Sequence, residues 1–410
     1  MRGPRVNEHR EHRVAKEHMA KQDVVIIGGG AIGSAIACFL LGDPGFAGTV
    51  KVIERDPTYA RASSALSASS IRQQFSTPVN IELSRFGIGF LRRVGEELRV
   101  GGERPDVGLR EQGYLFLASQ PGVAVLVENH RLQAALGADV ALLAPEALQA
   151  RFPWLSTEGI AMGSLGLTGE GWFDGYSLLQ ALRRKARSLG ADYVSSEAIG
   201  FECNGARIQS VRLKDSSSLG CDIAVNAAGP WAREPAAWLG IELPVRARRR
   251  CVFVVKCPVP IDNAPLVIDP SGVYFRPEGP GQFICGTSPD PANDPDDLPL
   301  DVDHALFEDT IWPCLAARVP AFEALRQTSA WAGYYEYNTF DCNGIVGFHP
   351  QVRNLVFANG FSGHGLQQSP AVGRGVAELI VHGAYRTIDL APLAFERIVA
   401  NRPLLERNVV

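Results

Sequence analysis

Gly28, Gly30 and Gly33 follow the spacing G-x-G-x-x-G directly after the β-branched run Asp23-Val-Val-Ile-Ile27. In such a turn the first glycine permits the tight bend, the second lets backbone N–H groups approach a pyrophosphate, and the third lets helix pack on strand. The helix that opens there turns its positive end toward the phosphates. Ala31 to Leu41, rich in Ala, Ile and Leu, reads as that helix. Thr49-Val-Lys-Val-Ile53 reads as the next strand, ending at Glu54, an acid where ribose hydroxyls are bound. Strand, turn, helix and acid together make a dinucleotide site and an α/β fold from the first element. On its own the turn suits a nicotinamide or a flavin dinucleotide equally.

Two later segments separate those cofactors. Val225-Asn-Ala-Ala-Gly-Pro-Trp231 runs an apolar strand into small residues, letting backbone pass close to a flat ring. Read alone, it is also an ordinary strand-to-helix turn punctuated by Gly229. In Val356-Phe-Ala-Asn-Gly-Phe-Ser-Gly-His-Gly-Leu-Gln-Gln368, three glycines (Gly360, Gly363, Gly365) crowd a strand end ahead of a helix read over Ser369 to Ile380. That arrangement aims N–H donors and a positive dipole end at whatever sits above it. A flavin ring becomes negative at one edge on reduction and gains from such donors, whereas a nicotinamide does not, so the sequence points to FAD. His364, wedged in this turn, is a candidate donor to flavin or substrate, or else a histidine held by backbone carbonyls.

The elements that must position these residues are spread over 410 residues, enough for two or three domains. Gly113-Tyr-Leu-Phe-Leu117, Cys251-Val-Phe-Val-Val255 and Gly272-Val-Tyr-Phe275 read as strands, and Gly175 to Leu189 as a helix. Ser210-Val-Arg-Leu213, the turn Asp215 to Gly220, and Cys221-Asp-Ile-Ala-Val225 read as a hairpin returning to the nucleotide sheet. The expected fold is α/β, α+β overall, with a Rossmann-like FAD-binding domain (21–92, 173–245 and 330–410) interleaved with a mixed β-sheet substrate-binding domain (93–172 and 246–329). Residues 1–20 are expected to be a disordered leader ahead of a start at Met19. Pro289 to Pro299 is acidic and proline-rich, an exposed loop. The basic run Arg246-Ala-Arg-Arg-Arg250 reads as a solvated face, with contact to an acidic substrate as the alternative.

A net charge of -4 offers no basic footprint for nucleic acid. Eight cysteines at irregular spacing without C-x-x-C signal neither a zinc site nor a disulfide framework, so no metal is expected. No apolar run reaches the roughly 18 residues of a membrane span; association with a membrane surface stays compatible with the sequence. The leader lacks the apolar core of a secretory signal, and its glutamates are unlike a transit peptide.

Together Ile26-Ile-Gly-Gly-Gly-Ala-Ile-Gly33, Val52-Ile-Glu-Arg55, Val225-Asn-Ala-Ala-Gly229 and Gly360-Phe-Ser-Gly-His-Gly365 resemble the D-amino-acid oxidase superfamily of FAD-dependent amine oxidoreductases. That superfamily includes sarcosine oxidase, glycine oxidase and the dimethylglycine dehydrogenases. Arg72-Gln-Gln-Phe-Ser76, Asn80-Ile-Glu-Leu-Ser84 and Trp331-Ala-Gly-Tyr-Tyr-Glu-Tyr-Asn-Thr-Phe-Asp341 look most like its FAD-dependent oxidoreductase-domain branch, known in mitochondria as complex I assembly factors. The resemblance implies hydride transfer to FAD from a small amine or amino acid, with a 2-hydroxy acid as the alternative substrate. It also leaves room for an assembly factor that merely retains FAD, and it calls for an electron acceptor of unspecified kind. The implied compartment is a bacterial cytoplasm, or the mitochondrial matrix in a eukaryote.

Carried over by the resemblance, the FAD contacts are Gly28, Gly30, Ala31, Ile32, Gly33, Glu54, Arg55, Ser63, Ser64, Ala228, Gly229 and Trp231. At the C-terminal turn they are Gly363, His364, Gly365, Leu366 and Gln367. The implied substrate residues are Arg72 as carboxylate clamp, Gln367 in place of a second cation, Tyr274 as hydroxyl donor, Arg276 as a further anion contact, and His364. Sarcosine oxidase tethers flavin through a cysteine where this chain resembles it with Tyr334, which implies non-covalent FAD. Ile284 matches the lysine that helps oxygen react there, which implies a dehydrogenase.

Overall fold

The computed structural model describes residues 22–290 and 293–407; the leader at 1–20 lies outside the described residues. Asp23–Ile27 is a strand whose apolar residues are buried on both faces, as expected of a central parallel strand. It pairs in parallel with Thr49–Glu54 on one side and Ile223–Asn226 on the other, with Val25 opposite both Lys51 and Ala224. The full six-stranded order is Ile345–Phe348, Leu355–Asn359, Ile223–Asn226, Asp23–Ile27, Thr49–Glu54, Asp192–Ser195. All neighbours are parallel except the first pair. Chain order reverses at Asp23–Ile27, so connections leave its carboxyl end in opposite directions and open the crevice where doubly wound sheets bind ligands.

Three helices close one face of this sheet. Ala31–Gly42 packs on Gly175–Ser188 and on Gly365–His382. The second crossing is tight because small residues meet: a Cβ on Gly373 would lie 2.7 Å from the Ala35 Cβ. Gly175–Ser188 starts where Asp174 accepts the Ser177 N–H at 2.9 Å, the usual device for a helix N-terminus. The last helix begins at Gly365, earlier than its apolar pattern suggests, because the glycine turn itself forms its first residues.

An eight-stranded mixed sheet stands beside the first. Its order is Arg326–Asn338, Val245–Lys256, Gln282–Gly286, Tyr274–Gly279, Leu266–Ile268, Tyr114–Ala118, Met162–Gly166, Val140–Leu143. Only Leu266–Ile268 and Tyr114–Ala118 run parallel. Phe253, Phe275, Phe283 and Phe322 fill a core against one of its faces, with Phe322 in edge contact with Phe275 and Phe283 at 5.1 and 5.0 Å between centroids. Among the described residues no helix is long and apolar enough to cross a membrane, and all eight cysteines are free thiols.

Three local expectations change. Arg326–Asn338 pairs along its length with Val245–Lys256, so the chain from 330 to 338 belongs to the substrate sheet and the return to the cofactor domain comes later than 330. The strand Arg207–Leu213 pairs with Ser218–Gly220 and Ala198–Asn204, while Ile223–Asn226 joins the six-stranded sheet. The break falls at Asp222, whose carboxylate accepts the Asp23 N–H at 2.9 Å. The basic run is neither a solvated face nor a substrate contact as a whole: Arg246, Arg248 and Arg250 pair with Asp294 and Asp296 of the acidic loop. Two segments of opposite charge, 44 to 50 residues apart, neutralise each other, which periodicity cannot show.

The C-terminal segment returns to pin the end of Arg326–Asn338. Arg397 forks onto Asp341 at 2.7 and 3.0 Å and donates to the Gly344 carbonyl at 2.9 Å. Asp341 is 1% exposed. Breaking a buried pair leaves an uncompensated charge and costs about 3–5 kcal/mol. Arg397→Ala is therefore expected to lose that much stability, read as a lower denaturant midpoint with an unchanged m-value.

Candidate active site

The glycine turn closes through backbone alone. Gly28 has φ of +102°, and a Cβ there would collide with the Ala227 carbonyl; a Cβ on Gly33 would collide with the Gly28 carbonyl. Glu54 accepts the Gly29 N–H at 2.9 Å on one oxygen and the Asp56 N–H at 2.8 Å on the other. Burial pushes its carboxyl above the usual carboxylate range. Gly30 has no side chain with which to cap the helix, and Ser64 supplies the acceptor instead, taking the Ala31 N–H at 3.1 Å.

Above this turn lies a cavity of about 850 Å³ lined by Gly28, Gly30, Ala31, Ile32, Glu54 and Arg55, with Ser63, Ser64, Ala228, Gly229 and Trp231 completing the wall. Gly33 stays behind it as the packing glycine. The Arg55 guanidinium stacks 4.0 Å from the Trp231 ring centroid, a flat cationic platform at the wall. The residues fit a dinucleotide: a side-chain-free cradle at a helix N-terminus, an acid beside it, and room for an extended molecule.

A smaller cavity of about 180 Å³ holds Arg72, Tyr114, Tyr274, His364 and Gln367 in its wall, with Gly363, Gly365 and Leu366. It shares Ala31, Ile32, Ser63, Ser64 and Glu336 with the larger one, so the two spaces meet beside the start of Ala31–Gly42. Arg72 is 4% exposed. Its guanidinium lies 4.1 Å from the Phe75 centroid and 5.8 Å from that of Tyr114, and it donates to the Gln74 carbonyl at 2.7 Å. Gln367 accepts the Arg72 backbone N–H at 2.8 Å, tying the last helix to this loop.

Other side chains in the neighbourhood divide by what already engages them. His364 packs edge-on to Phe75 at 5.1 Å. Burial, and then Arg72, depress its basicity far below the usual imidazole range, while a hydrogen bond to the Cys342 carbonyl acts the other way. Its Nε2 has no hydrogen-bond partner. Burial raises the Tyr274 phenol well above its ordinary range. Arg276 is turned away from the cavity. Its Nη2 donates to the Ala68 carbonyl at 2.8 Å, its Nη1 to the Pro277 carbonyl at 2.9 Å, and it pairs with Glu278. It therefore anchors the loop before Arg72 rather than facing a ligand.

Sequence reasoning missed two buried carboxyls, Glu170 behind the Arg72 loop and Glu336 in the wall of the site. Glu170 accepts the Gln73 N–H at 2.5 Å and the Gln74 side-chain amide at 2.7 Å. Burial raises it to about 7, with Arg72 acting in the opposite sense. Glu336 lines both cavities and accepts the Gly360 N–H at 3.4 Å. It thus occupies part of the donor array that the glycine-rich turn was expected to offer a ligand. The signal for Glu336 was present, since it sits in the Trp331–Asp341 segment, but nothing local shows which way a strand residue faces a remote turn.

The FAD dependent oxidoreductase family model matches residues 23–379. The chain is 47% identical over 424 residues to FAD-dependent oxidoreductase domain-containing protein 1 of Xenopus laevis, covering 95% of this chain and 85% of that protein. It is 28% identical to glycine oxidase of Geobacillus kaustophilus, over 92% of this chain and 97% of the relative. The solved L-proline dehydrogenase of P. horikoshii superposes with a TM-score of 0.82 at 26% identity, covering 93% of this chain and 99% of the other.

A side chain at position 28 would have to adopt left-handed backbone and displace the Ala227 carbonyl at once, and strain of the first kind alone costs of order 1–3 kcal/mol. Gly28→Ala is expected to purify without the visible absorption bands of flavin, whereas the unaltered protein carries them.

Proposed function

Because the chain belongs to the FAD-dependent oxidoreductase family, we propose that it is a dehydrogenase acting on a small amine or amino acid, with a secondary amine preferred and FAD held non-covalently. The observation that carries this reading is the buried guanidinium of Arg72 in the wall of a small cavity that joins the dinucleotide cavity. A carboxylate bound there gains charge-assisted hydrogen bonds in surroundings that water screens poorly. Proline and glycine, named in the relatives' activities, are both small amino acids, and proline is a secondary amine.

Bound FAD supplies a two-electron acceptor for the hydride on the carbon next to nitrogen. The chain's own groups bind, orient and dry the substrate. Arg72 holds the carboxylate, and Gln367 fixes the Arg72 backbone through its N–H. Tyr274 stays a neutral phenol and donates a hydrogen bond. His364 stays neutral, and with its other nitrogen engaged at Cys342, the unpartnered Nε2 is an acceptor for a substrate N–H. Tyr114 lines the cavity beside Arg72, and Phe75 packs behind it on the guanidinium and on His364. The substrate leaves as an imine, which hydrolyses to a carbonyl compound.

Non-covalent binding is supported by the surroundings of the ring site. Tyr334 donates to the Leu298 carbonyl at 2.9 Å. Cys251, which borders the smaller cavity, directs its sulfur to the Asp303 N–H at 3.4 Å. The dehydrogenase reading is supported by the absence of lysine from the lining of the smaller cavity; Ile284 is a core residue, 1% exposed.

Anaerobic mixing with N-methyl amino acids, proline, D-amino acids and 2-hydroxy acids tests the reading through bleaching of the flavin bands. Reduction by amines is expected, and reduction by hydroxy acids alone overturns it. Arg72→Ala should leave the flavin spectrum in place and lower the second-order rate of reduction by about 100-fold or more, the loss of about 3 kcal/mol of charge-assisted bonding. The rate should rise with pH as the substrate ammonium loses its proton. His364 is already neutral across that range, so the rising limb should stay at the same pH in His364→Asn.

A further inference from the structure

Glu336 is the one titratable side chain, among the described residues, that lines both cavities. It projects from Arg326–Asn338 opposite Ala247, into the gap between Gly229 and Gly365. Cβ atoms built on those glycines would lie 3.6 and 3.0 Å from its carboxyl oxygens. Two backbone N–H groups, of Gly360 and Phe361, are the groups that hold its charged form.

No cation faces it. On the paired strand, Arg246 and Arg248 flank Ala247 on the alternate face and are bound to Asp294 and Asp296. Arg250 is bound to Asp294. Gly229–Trp231 and Ser63–Leu66 contain no titratable group. The last helix opens behind His364, which is neutral, and the Ala31 helix begins with apolar residues. Arg61 turns to the Tyr334 hydroxyl at 3.5 Å. Burial therefore dominates and raises the carboxyl to about 7, and a ring bound between Gly229 and Gly365 would strip its remaining water.

A cofactor held over those glycines brings two electrons beside a carboxylate with no counter-ion. We propose that Glu336 is the proton acceptor coupled to cofactor reduction. As the two electrons enter with the substrate's hydride, the Glu336 carboxylate takes one proton from solvent, and it returns that proton to solvent on reoxidation. One negative charge arrives and one is neutralised, so the buried site gains no net charge. The inference rests on FAD binding and not on the identity of the substrate.

Spectroelectrochemical titration of the substrate-free holoenzyme between about pH 6 and pH 9 tests it, and an amine that fails to react leaves this measurement intact. Below neutrality Glu336 is protonated in both redox states and one proton accompanies two electrons. The reduction equilibrium should then fall tenfold per pH unit, about 30 mV for a two-electron couple. Once the pH passes the ionisation of this carboxyl in the oxidised holoenzyme, at about 7 or higher with the ring bound, it is ionised only in the oxidised protein, and the fall should steepen to a hundredfold per pH unit, about 60 mV. Glu336→Gln should show the tenfold dependence throughout. A uniform tenfold dependence in the unaltered protein overturns the proposal, as does a steep limb that survives in Glu336→Gln.

Should that variant fail to retain FAD, the reduced-minus-oxidised infrared difference of the unaltered protein above neutrality decides. A protonated-carboxyl C=O band that shifts in Glu336→Asp supports the proposal, and its absence overturns it.

Discussion

Close backbone approach at Gly28 is the constraint on which the rest of the structure depends. Ile27 and Asn226 sit side by side in register, so the chains leaving them must part within two residues. The Ala227 N–H still reaches the Ile27 carbonyl at 2.9 Å, while the Gly28 N–H turns to Ile53 at 2.9 Å. Only a residue without Cβ, at φ of +102°, bends there without striking the Ala227 carbonyl. That bend sets the axis of Ala31–Gly42, and this helix in turn receives Gly365–His382 against Ala35. The two ends of the domain therefore meet because one peptide has room to turn.

Buried charge organises the substrate side in a graded way. Arg397 and Asp341 neutralise each other at full hydrogen-bonding capacity, and Arg250 with Asp294 does so across two segments. Arg72 lies among aromatic faces and the Gln74 carbonyl in the wall of the smaller cavity, with Glu170 behind the loop. Arg276 is held by the Ala68 carbonyl and Glu278 and lines neither cavity. The contrast explains why two arginines that look equivalent in the chain are not equivalent in the site. At the other extreme stands Glu336, whose partners are two backbone N–H groups, so its charge depends on what is bound beside it.

What the sequence by itself determined was local and repetitive. The strand Asp23–Ile27 and the helix from Ala31 were legible because period and glycine spacing are encoded within about thirty residues, and the same holds for Glu54 closing the second strand. FAD was legible because the two glycine-rich turns carry their backbone requirement in residue type. Tertiary structure alone decided which way side chains face across those elements. The basic run met the acidic loop, Arg276 turned to Ala68, and Glu336 entered the glycine turn of a remote strand end. Each of these depends on distance through space between segments that share no period. Pairwise electrostatics and desolvation act over a few ångströms, and only the folded chain says which residues come that close.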